Sequence, residues 1–453
     1  MLKKSLLLLM SAFILLFSSC NAYSIYESKN EGSHYNRKEV LPQSTPYGYR
    51  LKQVVVFSRH NVRSPLTKEG SAVYDMTPHE WFDWTSNSSE LSIRGGVLET
   101  EMGQYFRKWL VKEKLFEDNY DPKNINVSTD EVRIYANSIQ RTLATANYFL
   151  TGLFPISDMD IEHHMKFNEM DPVFNPILTN IDDKFVDAAT NQMEEIFSKK
   201  TERLKPDYKL IEDVIDVKES KEYKEGNFKE FKIDDSEFVL KEGEEPKVKG
   251  SLNLACKVSD ALTFQYYESD DREASFGKNI PFEDWEKITE VRDVYEDVLF
   301  TAPLVATNVA NPLLKEILKE IKNDKRKFTF LCGHDSNVAS LLAALFVEEY
   351  NLPYAIEKKT PIGCKLTLST WVKEENPAEE YMTIDLIYQK VEQLRGIEML
   401  DEKNPPAIYK LSFKGLSQNE EGFYKKEDVI NAFSEAISRY NVIDIDNESM
   451  KEN

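Results

Sequence analysis

Length, composition and charge exclude several broad classes for this 453-residue chain. Hydrophobic residues make up 41% of it and aromatic residues 11%, which is enough for one large domain or two interlocked domains. The net charge of −21 argues against non-specific nucleic-acid binding, because phosphate backbones attract basic surfaces. The few cysteines that follow Cys20 exclude a disulfide scaffold and lack the spacing of a metal motif.

The first segment of the chain has the pattern of an export signal. Two lysines precede an apolar run over residues 6–17, which is too short to span a bilayer and is typical of a signal peptide. The run ends in Ser-Ser-Cys, which resembles a bacterial lipobox, although Phe17 is unusual there and plain secretion is the alternative. We predict a signal peptide over residues 1–19 and a flexible tether over 20–47. The protein is then exported to the periplasm or cell envelope, with lipid on Cys20 as its only membrane attachment.

Strand and helix patterns follow the tether. Val54–Phe57 is an unbroken apolar run, as expected of a strand that is covered on both faces. Next comes a helical spacing of apolar residues that includes Leu98, Met102 and Phe106. A strand that begins at Val132 and a helix that opens shortly after it then form a second strand–helix unit.

The carboxyl-terminal part returns to sheet patterns after a charged middle region. A strand is predicted to end at Gly333, a helix to start near Ser336, and "KLTLSTWV" and "YMTIDLIYQKV" to form an antiparallel pair near the sheet edge. We predict an α/β fold with a mostly parallel central sheet flanked by helices. Residues 48–154 and 301–453 form this discontinuous domain, and residues 155–300 form an inserted, mainly α-helical cap domain.

Three of the predicted strands are followed by charged or imidazole side chains. Because ligands bind at the carboxyl ends of parallel strands, we expect these side chains to converge if the strands are neighbours. The residues are Arg59, His60, Arg63, Arg141, His334 and Asp335.

Three arginines, two histidines and an aspartate suit phosphoryl transfer. Arginine forks match the oxygens of a phosphate monoester and of its transition state. A neutral imidazole can attack phosphorus and become phosphohistidine, and an aspartic acid can protonate the leaving oxygen. We expect no metal or other cofactor, because the arginines supply the positive charge. Each residue alone is explained better by a structural role, such as a surface salt bridge for Arg59 or Arg63, so only the combination points to a function.

The motifs resemble those of the histidine acid phosphatases, the larger branch of the histidine phosphatase superfamily, whose signature is R-H-G-x-R-x-P with a distant H-D. The similarity is carried by "SRHNVRSPL", "YANSIQRTLATA", "MDPVFNPI" and "GHDSNVASLLAAL", and it is greatest to the bacterial periplasmic glucose-1-phosphatases. The resemblance implies an active site between an α/β domain and a smaller α domain. It implies that His60 is the nucleophile and Asp335 the proton donor. It assigns phosphate binding to Arg59, Arg63, Arg141 and His334.

Two residues bear on the choice of substrate. Asn61 replaces the glycine of the general signature, and we expect its side chain to narrow the pocket floor and to hydrogen-bond the ester or a sugar hydroxyl. By the resemblance, Glu245 of the "EEP" motif narrows the pocket from the cap and disfavours inositol phosphates. The enteric members have several disulfides that these cysteines do not match, so we expect packing alone to hold the cap.

The expected substrate is therefore a small phosphate monoester such as glucose 1-phosphate. One alternative is a phytase with the same chemistry and a wider pocket. Another is a lipid-anchored protein that binds phosphorylated sugars without turnover, in which His60 together with Asp335 would serve no purpose. The aromatic stretch His79–Trp84 either packs as a loop on the domain surface or forms a wall of the pocket.

Overall fold

The computed structural model describes residues 48–118 and 130–451, with side chains to residue 442. The predicted signal peptide, the tether and Cys20 lie outside the described residues. Within the described ranges, no helix is both long and apolar enough to cross a membrane.

A seven-stranded mixed sheet forms the centre of the described part of the chain, in the order β2-β5-β1-β6-β7-β8, with β9 paired to β7. A separate hairpin is formed by β3 and β4. The strands are β1 (Tyr49–Arg59), β2 (Val132–Ala136), β3 (Glu237–Val239), β4 (Lys247–Lys249), β5 (Phe328–Gly333), β6 (Lys365–Lys373), β7 (Glu380–Tyr388), β8 (Ala407–Lys410) and β9 (Tyr424–Lys425).

The parallel part of this sheet contains the predicted strands of the site. β5 pairs in parallel with both β1 and β2, so the carboxyl ends of three strands meet at one edge, where Arg59 lies opposite Gly333. β6 pairs antiparallel with β1 and with β7, as predicted for the two alternating segments. The strands β1, β2, β5 and β7 thus point one way and β6, β8 and β9 the other. The predicted α/β class is confirmed, with parallel pairing confined to β2, β5 and β1.

Helices cover both faces of the sheet and make up most of the middle of the chain. The described residues form α1 (Ile93–Lys112), α2 (Gln140–Leu153), α3 (Asp183–Ser198), α4 (Thr201–Val214), α5 (Lys221–Lys224), α6 (Ser251–Glu268), α7 (Asp271–Ala274), α8 (Phe282–Phe300), α9 (Pro303–Val309), α10 (Asn311–Ile321), α11 (Asp335–Ala344), α12 (Val391–Gly396) and α13 (Lys426–Lys451).

Alternate residues of β1 enter two different hydrophobic cores. Val55 and Phe57 pack in a core with the apolar faces of α10, α11 and α13. Val54 and Val56 pack in a second core with residues of α1 and α2, such as Phe106. All four β1 residues are buried. This double coverage is what the unbroken apolar run predicts.

A third core joins the middle of the chain to the loop after β1. It contains apolar residues of α3, α4, α6 and α8 together with Val62 and Trp84. Trp81 and Phe82 pack against it, so the aromatic stretch is held by packing. The three cysteines of the described residues are unpaired, and hydrophobic packing rather than disulfides therefore joins these helices. The division of the chain at residues 154 and 300 stays a prediction.

Candidate active site

The carboxyl edge of β2, β5 and β1 brings the candidate residues together. The ring centroids of His60 and His334 are 5.7 Å apart. Nη2 of Arg141 lies 3.3 Å from Nδ1 of His334, and Nη2 of Arg59 lies 3.3 Å from Oδ2 of Asp335. The parallel register of β1 and β5 produces this meeting, because both strands end at the same level.

The imidazole of His60 is held in its neutral form. Its Nδ1 lies 2.9 Å from the backbone oxygen of Asn61, and since a carbonyl can only accept, Nδ1 carries the proton. Nε2 therefore keeps its lone pair. Burial, followed by the charges of the neighbouring arginines, holds the pKa of His60 well below its usual range. The ring thus has the protonation state and the tautomer that attack on phosphorus requires.

His334 is neutral with the same tautomer. The amide of Asn137 donates from Nδ2 to Nε2 of His334 at 2.8 Å, while its Oδ1 accepts from the backbone N–H of Asp171 at 2.9 Å. Because Nε2 accepts at 2.8 Å, the ring proton is on Nδ1, where it faces the Nη2 donor of Arg141 at 3.3 Å, and an anion bound between these two donors would accept from both. Burial and then the charge of Arg141 lower the pKa of His334 to about 3. Asn137 was missed by sequence reasoning, although its place directly after β2 was a signal.

Positive charge at this edge is only partly compensated. Arg63 donates from Nη2 to Oδ2 of Asp260 at 2.9 Å, and its guanidinium lies 4.4 Å from the ring centroid of Phe264. Burial and then the charge of Arg63 lower the pKa of Arg141 to about 10. Among the described residues, Nε of Arg141 has no hydrogen-bond partner. A bound anion would offset the repulsion between the guanidiniums of Arg63 and Arg141, so the arrangement suits a phosphate group.

A buried charge network supports the other side of the site. Glu357 accepts from Nη1 of Arg59 at 2.7 Å and also pairs with Arg292 of α8. Arg292 in turn bonds Oδ2 of Asp335. Burial raises the pKa of Asp335, but Arg59 and Arg292 outweigh it and hold that pKa well below its usual range. Asp335 is thus a carboxylate in this structure.

Sequence reasoning missed Arg292 and Glu357. Arg292 belongs to the stretch "EVRDVYEDVLF", whose charges suggest a solvated helix, and Glu357 lies in an irregular segment without a motif. Both side chains are buried. The signal was weak, because only tertiary packing shows which charged residues of such a helix face the interior.

The sequence of this chain matches a known family. Residues 50–382 match the model of the histidine phosphatase superfamily, branch 2. The chain belongs to this superfamily. It is 38% identical to a glucose-1-phosphatase of Salmonella typhimurium over 88% of this chain and 95% of the relative. It is 34% identical to a glucose-1-phosphatase of Providencia rettgeri, over 86% of this chain and 92% of that protein.

A solved structure has the same fold. The structure of Hafnia alvei phytase in its apo form superposes with a TM-score of 0.77, covering 87% of this chain and 98% of the phytase. The two sequences are 24% identical, so the likeness shows the fold alone.

Two expectations about specificity meet different outcomes. Asn61 is fully buried, and its amide donates from Nδ2 to Oε1 of Glu99 at 2.8 Å, while Oδ1 accepts from the N–H of Val62. The expectation that this amide reaches a substrate is wrong, because its polar atoms bond the interior. Glu245 is exposed at its surface. Its pKa is raised, first because nearby protein displaces part of its water and then because of the charge of Asp335, while Arg141 acts in the opposite direction. Its carboxyl thus lies within the electrostatic reach of the site.

Within the described residues, no group of three or more His, Cys, Asp and Glu side chains is arranged to hold a metal ion.

Proposed function

We propose that this chain is an exported acid phosphatase that hydrolyses small phosphate monoesters, above all glucose 1-phosphate, through a phosphohistidine on His60. The observation that carries the proposal is the neutral His60, whose Nδ1–H is held by a carbonyl and whose Nε2 keeps its lone pair beside arginines that are only partly compensated. Identities of 38% and 34% to two glucose-1-phosphatases support the substrate.

Substrate binding uses the positive edge. The guanidiniums of Arg59, Arg63 and Arg141 donate to the phosphate oxygens, and the Nδ1–H of His334 adds a neutral donor. These groups are fixed before the substrate arrives, since each is packed or hydrogen-bonded to the scaffold. Fixed donors of this kind stabilise the equatorial oxygens of the transition state.

The first chemical step transfers the phosphoryl group to His60. Nε2 forms a bond to phosphorus as the bond to the ester oxygen breaks, and protonated Asp335 donates its proton to that oxygen. Asp335 is a carboxylate in this structure, so it must take up a proton before it can donate one. The negative charge of the bound phosphate raises its pKa and favours that uptake, which makes the reaction faster in acid.

The second step regenerates the enzyme. A water molecule attacks phosphorus, the bond to Nε2 breaks, and the Asp335 carboxylate accepts the proton of the water. Inorganic phosphate then leaves and His60 is again neutral. A protein that only binds phosphorylated sugars needs neither the free Nε2 nor a proton donor, so turnover separates it from an enzyme.

A panel of substrates tests the proposal. Purified protein is assayed for released phosphate with glucose 1-phosphate, other sugar phosphates and phytate. We expect a clear preference for glucose 1-phosphate, and we expect Glu245→Ala to weaken it mainly by speeding phytate turnover by about one to two decades. Equal efficiency on phytate would instead favour the phytase alternative, and no turnover at all would favour the binding protein.

The location of the enzyme is a separate part of the proposal. The chain is exported by its first 19 residues and anchored by lipid on Cys20, because a short apolar run followed by Ser-Ser-Cys has the pattern of a lipoprotein signal. Expression in a bacterium supplied with labelled fatty acid tests this. The label should enter the wild type and be lost in Cys20→Ala, while an unlabelled wild type would indicate plain secretion.

A further inference from the structure

The peptide bond that holds the nucleophile is itself anchored by a buried side chain. The unit between Asn61 and Val62 presents its carbonyl to Nδ1 of His60 at 2.9 Å. Its N–H donates to Oδ1 of the Asn61 side chain at 2.8 Å. The side chain of Asn61 therefore hydrogen-bonds the same peptide unit whose carbonyl sets the tautomer of His60.

A buried ion pair anchors that side chain in turn. Nδ2 of Asn61 donates to Oε1 of Glu99 on α1 at 2.8 Å, and the same oxygen accepts from Nζ of Lys365 on β6 at 2.8 Å. Glu99 and Lys365 both have completely buried side chains. Lys365 also donates to the backbone oxygen of Gly363 at 2.7 Å. A continuous row of hydrogen bonds thus links two secondary-structure elements to the nucleophile.

The side chain of Asn61 is tightly packed against the backbone at Gly363. Gly363 has a positive φ of +66°, and a Cβ placed on it would lie 2.5 Å from Nδ2 of Asn61. The backbone N–H of Gly363 donates to the carbonyl of His60 at 3.1 Å. The second carboxylate oxygen of Glu99 has no hydrogen-bond partner among the described residues. A buried ion pair that is incompletely satisfied adds little stability, which suggests a positioning role.

We propose that Asn61, Glu99 and Lys365 act as positioning residues that fix the orientation and tautomer of His60, and that this is the role of the asparagine beside the nucleophile. The inference rests on the proposed function, because it assumes attack by Nε2. When Nε2 bonds phosphorus the ring becomes cationic, and the Nδ1–H bond to the Asn61 carbonyl becomes stronger. The three residues therefore matter most in the phosphorylation step.

The first test replaces the asparagine by the residue of the general family signature. In Asn61→Gly, single-turnover phosphorylation of the enzyme should be about 10- to 100-fold slower, because small misplacements of a reacting group have effects of this size. Inhibition by tungstate should stay unchanged, since the arginines are intact. Asn311→Gly is the matched control, because Asn311 is also a buried asparagine and its Oδ1 has no partner in the described ranges.

A second variant separates positioning from stability. The double substitution Glu99→Leu with Lys365→Met removes both buried charges, but it also takes the acceptor from Nδ2 of Asn61 and the donor from the carbonyl of Gly363. The variant should melt at a lower temperature than the wild type, and the folded protein should phosphorylate more slowly while its inhibition by tungstate is unchanged. Wild-type phosphorylation in either variant, or an equal loss of tungstate inhibition, would overturn the inference. A wild type that forms no phosphohistidine would instead overturn the proposed function.

Discussion

Two arginines that lie close together in the sequence have opposite surroundings. Arg133 of β2 donates from Nε and Nη2 to Glu162 and from Nη1 to Glu320 and Glu316. Burial lowers its pKa, but the hydrogen bonds to Glu162 and Glu316 outweigh it and raise that pKa above its usual value. Arg141, at the start of the next helix, has an unpaired Nε in the described structure and a pKa lowered to about 10.

The two arginines differ in the charges that surround the guanidinium, and this difference is the basis for proposing a structural role for Arg133 and a binding role for Arg141. The loss of a buried guanidinium that is surrounded by carboxylates destabilises the fold, because buried negative charge is then left uncompensated. A half-buried guanidinium that lies close to another cation is unfavourable until an anion arrives. Sequence spacing cannot distinguish the two cases, because the carboxylates of Arg133 come from two distant segments, one with Glu162 and the other the helix α10 with Glu316 and Glu320.

The largest effect is expected for Asp335, the carboxylate of the candidate active site. Asp335→Asn should slow the hydrolysis of glucose 1-phosphate by about 10²–10⁴-fold, because the leaving oxygen loses its proton donor. The effect on p-nitrophenyl phosphate, whose leaving group needs little help, should be far smaller. Inhibition by tungstate should become stronger, since a negative charge next to Arg59 is removed. Equal losses with both substrates would mean that Asp335 has another role.

The structural arginine should act on stability. Arg133→Met removes the counter-ion that Glu162, Glu316 and Glu320 share, although Glu320 keeps its pair with Arg326, and should lower the free energy of unfolding by about 3 kcal/mol. Denaturant unfolding measures this change. The protein that remains folded should keep its turnover number, and a selective loss of turnover would contradict the separation of the two arginines.

The binding arginine should show the reverse pattern. Arg141→Met should lower kcat/KM for glucose 1-phosphate by about 10²–10³-fold, as the loss of one transition-state donor typically does. Its unfolding free energy should be unchanged or slightly higher, because the repulsion with Arg63 disappears. The same denaturant series checks both variants, and an Arg141→Met protein less stable than Arg133→Met would refute the distinction.

The smallest expected effect is on the pH profile. A histidine with an ordinary pKa of about 6.5 would be mostly protonated, and so inactive as a nucleophile, at about pH 5. The pKa of His60 is held well below that value, so protonation removes activity only in stronger acid. Protonation of Asp335 in the substrate complex rises as the pH falls. Measured kcat/KM should therefore increase from neutral pH towards about pH 5, and a decline centred on 6.5 would contradict the environment described for His60.

Sequence patterns predict those parts of the fold and site that depend on local order. The apolar run of β1 predicts a strand covered on both faces, and the abrupt change to Arg59 and His60 marks its end. The pairing of β6 with β7 follows from their alternation. These features are readable because each is encoded in consecutive residues.

The remainder depends on contacts between distant segments. Asn61 is directed into the interior by Glu99 and Lys365, 38 and 304 positions further along the chain, so its neighbours in sequence suggest the wrong role. Arg292 looks like one charge among many on a helix, and only packing brings it to Asp335. The positioning of the site is therefore less predictable than its reacting groups.

Trapping of the covalent intermediate is the most direct test of His60 as the nucleophile. Enzyme is mixed rapidly with a substrate that carries a labelled phosphate, quenched in alkali, digested and mapped. Label is expected on His60 in the wild type and is expected to be absent in His60→Ala, which should still bind tungstate through its arginines. Label on another residue, or turnover of His60→Ala at the wild-type rate, would contradict this role of His60.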